Sequence, residues 1–423
     1  MNINDIVKKK NNNVELTQEE IKYTVDNYVN GNISDDDMTL FLKSVLKNDM
    51  TIMETYYLTE AMIQSGDIID LSKIKGIKVD KHSTGGVGDK TSLVVGPIVA
   101  SCGVKVAKMS GKALGFTGGT IDKLESIRGF NVNLSKEDFI KQVNDINIAI
   151  TSQTGNLVPA DKKIYALRDV TNTTNSIALI ASSIMSKKIA SGSDKIVLDV
   201  KVGKGAFMKK KEDAIKLSNT MIQIGKKFNK EVIAIITNMQ YPLGNTIGNS
   251  LEVKEALDTL NGKGDERFTK LCLIISSYMV SLGKNISLDD ASHEVIEKLN
   301  NKDALNKFYE FIKYQNGDIN SLEYGKYKIE IKSEKDGYLT DIDTLNLAEF
   351  VNSLGAGRKN KDDEINHKVG FILNKKINDK VQKDDILGYV ISDNNIDVSG
   401  INNYFVITNN NIDEIDMILD VIK

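Results

Sequence analysis

Apolar residues return at helical spacing early in the chain, as Ile21, Val25 and Tyr28 and again as Leu40, Phe41, Val45 and Leu46. Three helix starts each show a hydroxyl residue with an acid three positions later: Thr17/Glu20, Ser34/Asp37 and Thr51/Glu54. In that pattern the two side chains can satisfy free amides at a helix start. An all-helical cap over 1–67 is the prediction, closing on the polar Gln64-Ser-Gly-Asp67. The period then changes. Short apolar runs of strand length at 77–79, 104–109, 148–151, 196–200 and 232–236 alternate with helical runs at 91–101, 214–228 and 251–260. This alternation predicts an α/β domain built on a mixed, largely parallel sheet, with ligand loops at the C-terminal strand ends. Residues 159–190 return to a helical pattern, so the cap is expected to be completed by this second piece, leaving 68–158 and 191–329 to the α/β domain. From 330 to 423 brief alternating stretches separated by turns predict a C-terminal β-rich subdomain.

At 423 residues the chain exceeds what one core usually organises, and a ligand is expected in a cleft between domains. Lysine and arginine total 55 against 58 acidic residues. That near balance lacks the basic excess of a protein living on nucleic acid or anionic lipid, so neither partner is expected. Cys102 and Cys272 both lie in apolar stretches without disulfide or zinc spacing, which points to a reducing, cytoplasmic location. The first residues lack a basic region followed by an apolar run, and the apolar stretch 92–104 is too short to span a bilayer. Neither export nor a membrane anchor is expected.

Candidate chemistry is concentrated in two segments. Lys81-His-Ser-Thr-Gly-Gly-Val-Gly88 sits between a strand and a helix start and offers glycines, hydroxyls and a lysine, the composition that holds an oxyanion. The competing reading is a tight turn that needs glycine for positive φ. The segment matches neither the Walker A nor the dinucleotide pattern. Lys108-Met-Ser-Gly-Lys-Ala-Leu-Gly-Phe-Thr-Gly-Gly-Thr-Ile-Asp-Lys-Leu-Glu125 follows another strand, and its Ser110, Thr117 and Thr120 let two loops converge on one anion.

This pair of segments resembles the thymidine/pyrimidine-nucleoside phosphorylases, whose hallmark reads Ser-Gly-Arg-Gly/Ala-Leu-x-x-Thr-Gly-Gly-Thr-x-Asp-x-Leu-Glu. The resemblance extends through Gln153-Thr-Gly155, Pro159-Ala-Asp-Lys162, Ala181-Ser-Ser-Ile-Met-Ser-Lys-Lys188, Gly205-Ala-Phe-Met208 and Leu354-Gly-Ala-Gly-Arg358. Two positions depart from it: Lys112 replaces the arginine and Phe116 a common histidine.

The resemblance implies phosphorolysis of pyrimidine nucleosides by inorganic phosphate, with no organic cofactor. It would place phosphate on Lys81, Ser83, Ser92, Lys108, Met109, Ser110 and Thr120. The base would meet Tyr165, Arg168, Ser183 and Lys187; each of the pairs 165/168 and 183/187 shares a helix face. His82, Arg168 and Lys187 would be catalytic, the histidine aiding proton transfer to the departing base because its ordinary pKa is near neutral. A potassium ion would be held at Gly88, Lys90, Leu243, Thr246 and Glu255, and two copies would pair through the helical cap. Lys108 stands where thymidine-restricted members tend to carry methionine, so uridine, thymidine and deoxyuridine are all expected substrates. The alternatives are a thymidine-restricted phosphorylase and a weakened nucleoside-binding homologue. An anthranilate phosphoribosyltransferase would share the architecture but needs metal-bridging acids that the sequence does not clearly supply. His293 and His367 read as surface residues.

Overall fold

The computed structural model describes residues 1–112, 118–153, 155–358, 363–414 and 416–423. The cap opens with a helix that the pattern reading did not find, α1 (Ile3–Asn11), followed by α2 (Gln18–Val29), α3 (Asp35–Asn48) and α4 (Ile52–Gln64). Thr17/Glu20 and Thr51/Glu54 form complete capping boxes, whereas Ser34 caps the Asp37 amide without the reciprocal bond to its own amide. Glu54 also takes the buried ammonium of Lys10 at 2.8 Å, which fastens α1 to α4.

The α/β part runs β1 (Val79–Ser83), α5 (Thr91–Ser101), β2 (Val106–Ser110), α6 (Thr120–Glu125), α7 (Lys136–Ile146) and β3 (Ile148–Ser152). The cap resumes with α8 (Pro159–Val170) and α9 (Ile177–Ala190). Then come β4 (Lys195–Val202), α10 (Lys211–Lys227), β5 (Glu231–Asn238), β6 (Thr246–Ile247), α11 (Asn249–Leu260), α12 (Glu266–Lys284), α13 (Leu288–Asn300) and α14 (Asp303–Tyr314). Strands β2 and β3 pair in parallel, as do β1 with β4 and β4 with β5. A bond from the Val79 amide to the Lys105 carbonyl, 3.0 Å, joins β2 to β1.

Alternation along the central strands separates two cores. Val197, Ile233 and Ile235 face one side, with α5 and α12. Ile196, Leu198, Val200, Ala234 and Ile236 face the other and share a continuous core with Ile21, Val25, Phe41 and Met62 of the cap.

The C-terminal part contains β7 (Tyr327–Lys332), β8 (Gly337–Ile342), α15 (Thr344–Val351), β9 (Gly370–Leu373), β10 (Lys380–Val381), β11 (Ile386–Ser392), β12 (Phe405–Thr408) and β13 (Ile418–Ile422). It forms two small sheets, β6-β9-β11-β7 and β10-β8-β12, while β13 leaves them to pair antiparallel with β5. The sheet of the α/β domain is therefore mixed and largely parallel.

Candidate active site

Strand β1 is longer than the apolar run 77–79 suggested, because Lys81, His82 and Ser83 continue it. Charged and polar residues inside a parallel strand give no apolar signal. The loop proper is 84–90, with positive φ at Gly85 and Gly88, and a side chain on Gly86 would meet Met239 at 2.8 Å.

This loop carries its own carboxylate. Asp89 accepts the hydroxyls of Ser83 and Thr91 and the Thr91 amide, and Lys81 donates to Thr91 while standing 3.4 Å from Asp199. Burial raises the Asp89 pKa, but Lys81, Lys201 and those hydroxyls outweigh it and hold the carboxyl well below its ordinary value. Lys81 and Ser83 are therefore brought together as expected, with internal partners.

On β2, Lys108 is buried and donates to the Lys81 carbonyl at 2.6 Å, with Asp80 at 3.6 Å. Burial lowers its pKa to about 7, with Lys188 and Lys81 adding to the effect and Asp80 opposing it. The Met109 carbonyl accepts from Lys188, whose ammonium also meets Asp80 at 2.6 Å. Ser110 is half-buried at the strand end, as are Ser92 in the first turn of α5 and Thr120 at the start of α6.

The two loops are physically tied by a residue that spacing did not single out. The buried Lys123 ammonium donates to the Asp89 carbonyl at 3.0 Å and the Gly118 carbonyl at 2.9 Å. Lys112, by contrast, pairs with Glu125 at 2.6 Å on the surface. Phe116 and Thr117 lie outside the described residues.

On the cap side, Ser183 and Lys187 do meet, at 2.9 Å, and Lys187 also pairs with the buried Asp161 of α8. Tyr165 is exposed. Arg168, expected at the base, is 2% exposed and donates to the carbonyls of Thr173, Thr174 and Leu179. Its guanidinium fastens the turn between α8 and α9, a role that i, i+3 spacing from Tyr165 cannot reveal.

His82 is where the halves meet. Burial, then the ammonium groups of Lys188, Lys108, Lys187 and Lys81, depress its pKa well below the ordinary value. That depression favours the neutral imidazole in the free site. His82 lies on β1 next to Lys81, the residue whose carbonyl accepts from Lys108. His293 is exposed as read, but His367 is half-buried and its Nδ1 has no partner among the described residues.

The five residues expected to hold potassium also converge, but around a side chain. Lys90 places its ammonium against the Leu243 and Thr246 carbonyls and Glu255, at 2.6, 3.1 and 2.7 Å, and Gly88 packs against the same carbonyls. Potassium does not fit these residues, because the lysine stands where the ion would be coordinated. Among the described residues no group of three or more His, Cys, Asp or Glu side chains is placed to hold a metal.

Comparison with known proteins agrees with this architecture. Residues 4–66 match the helical bundle domain of a glycosyl transferase family, 75–305 its a/b domain, and 338–404 a pyrimidine nucleoside phosphorylase C-terminal domain. The pyrimidine-nucleoside phosphorylase of Staphylococcus haemolyticus is 51% identical over 394 residues, covering 92% of this chain and 91% of its own. That of Geobacillus stearothermophilus is 50% identical over 399 residues, covering 93% and 92%. The crystal structure of anthranilate phosphoribosyltransferase from Thermus thermophilus shares the fold alone, with a TM-score of 0.59 at 15% identity over 73% of this chain and 98% of that one.

Proposed function

This chain belongs to the pyrimidine-nucleoside phosphorylases, and from that premise we propose that its cleft accepts uridine, thymidine and deoxyuridine. The reaction is a pentosyl transfer: the bond between C1′ and the base nitrogen breaks, and an oxygen of inorganic phosphate bonds to C1′. The products are the free base and a pentose 1-phosphate. The observation that carries our site assignment is the joining of the cap to both strands: Lys188 of α9 binds Asp80 of β1 and the Met109 carbonyl of β2, beside Lys108, which donates to the Lys81 carbonyl.

In this reading phosphate lies over the ends of β1 and β2, held by Lys81, Ser83, Ser92, Lys108, Ser110 and Thr120. Its arrival displaces hydroxyls now bonded to Asp89. The base lies under α8 and α9, where Lys187 and Ser183 donate to its carbonyl edge and Tyr165 packs beside it. As the bond breaks, negative charge grows on the base, and a fixed ammonium in a water-poor cleft stabilises that charge more than it does the neutral nucleoside. His82 starts neutral. It gains a proton more easily once a dianion sits nearby, and can then pass that proton to the departing base. Arg168 acts through the α8–α9 turn, as a positioning residue. Because phosphate and base are held by different domains, closure of the cap is part of the cycle.

A homodimer through the helical cap and a cytoplasmic location complete the proposal. Both cysteines are buried thiols, which suits a reducing compartment, and among the described residues no single helix is long and apolar enough to cross a membrane. Incubating each nucleoside with phosphate and measuring free base tests the substrate range. Release of base from all three is expected, and an enzyme that ignores uridine would overturn the broad reading.

A further inference from the structure

A lysine ammonium has three N–H donors, and Lys90 spends all three on oxygen: the Leu243 carbonyl, the Thr246 carbonyl and the Glu255 carboxylate. Its side chain is fully buried and that of Glu255 nearly so, with the Phe268 ring 5.3 Å from the ammonium. Main-chain carbonyls and one carboxylate around one positive charge are the donor set of a monovalent-cation site. We propose that Lys90 is a covalently attached substitute for that cation, so that this enzyme is independent of potassium.

The geometry explains what the charge does. Glu255 is the hub of the 243–246 turn, accepting the amides of Asn245 and Thr246 and the Thr246 hydroxyl besides the lysine. Gly244 has φ +73°, and a side chain there would stand 2.4 Å from Glu255. Across the ammonium lies the phosphate loop: Lys90 is its last residue, and the Leu243 amide donates to the Val87 carbonyl at 3.0 Å. Without a cation between them, the two carbonyls and the carboxylate would repel one another, and the loop would lose its anchor to α11. A dissolved ion supplies that charge only by mass action, whereas a side chain supplies it at every ionic composition. The cost is that a tethered ammonium cannot exchange, so potassium has no site to enter.

The inference rests on the family reading only for the expectation that a cation belongs here, and thermal unfolding reads it without reference to turnover. Wild-type protein is unfolded in potassium, sodium and tetramethylammonium chloride at equal ionic strength, alongside Lys90→Ser and Lys90→Met. Wild-type Tm and phosphorolysis should be the same in potassium and tetramethylammonium. Lys90→Ser, which opens the space while leaving the oxygens, should unfold lower and recover about 3 °C in saturating potassium. Lys90→Met fills the space without charge, so it should unfold lower and show no recovery. A wild-type Tm or rate that rises specifically with potassium would overturn the proposal, and so would a folded Lys90→Ser indifferent to potassium. Should neither variant fold, the wild-type comparison decides alone.

Discussion

Replacing Lys108 by methionine removes one buried ammonium whose protonation should be coupled to phosphate. In the free enzyme its pKa is about 7, so at pH 8 only about a tenth of the population is charged. A phosphate dianion even about 10 Å away, at an effective dielectric near 20, interacts with that charge by about 3 kcal/mol, or roughly two pKa units. The bound-state pKa is then about 9, and close to 0.8 of a proton should be taken up for each phosphate bound at pH 8. Calorimetric titration with phosphate in two buffers of different ionisation enthalpy measures that uptake directly.

Lys108→Met should lose most of it, leaving the share that belongs to His82. The same group shapes stability without ligand. Its folded pKa lies below the unfolded value of about 10.4, so between about pH 7 and pH 10 the unfolded chain binds more protons and stability rises with pH. Below pH 7 the cost of the buried charge is fully present, up to about 5 kcal/mol. The variant's stability should be flatter across that window. Proton release, no uptake at all, or a variant with unchanged uptake would refute the placement of Lys108 beside bound phosphate.

Asp80 compensates the buried ammonium groups of Lys188 and Lys108, so Asp80→Asn should cost about 3–5 kcal/mol in urea unfolding. A loss under about 1 kcal/mol would mean that the lysines have other partners. Lys81→Ala and Ser110→Ala should each raise the KM for phosphate more than that for nucleoside, and an effect confined to nucleoside would move them out of the anion site. In a mixture of uridine and thymidine, Lys108→Met should shift preference towards thymidine by about tenfold, the worth of one hydrogen bond to a charged donor. An unchanged ratio would leave Lys108 with phosphate alone.

The layout of cap and sheet was legible because it depends on repeated patterns. Periodic apolar residues and hydroxyl–acid pairs marked α2 to α4, and the helix 91–101 was placed at its observed limits. Helix α1 escaped because its buried face rests on Ile3, Ile6 and a lysine, too few apolar residues to set a period. The end of β1 escaped because Lys81, His82 and Ser83 replace apolar residues where the strand meets the site. The crossing of β13 to β5 is a tertiary choice with no local signature.

For the site, the two loops were visible as dense runs of glycine, hydroxyls and lysine. Their fastening by Lys123, the carboxylates of Asp80 and Asp161 that hold lysines, and that of Asp89 that holds the loop hydroxyls, were not. Those residues sit in ordinary-looking contexts, and only the fold brings them to their partners. Nor could position show that Arg168 and Lys90 donate to main-chain carbonyls, because the fold brings those carbonyls to them. The buried charges of Asp199 and Lys201, inside the apolar run of β4, were the one available hint of an ionic network beneath the loops.

In a phosphorolysis, base leaves only as phosphate takes the sugar. Purified protein is incubated with uridine in a buffer free of phosphate and in the same buffer with phosphate added, and free uracil and ribose 1-phosphate are measured together. No uracil is expected in the first arm, and equal amounts of uracil and ribose 1-phosphate in the second. Uracil released equally in both arms, with free ribose as its companion, would make the protein a hydrolase and rule out phosphorolysis.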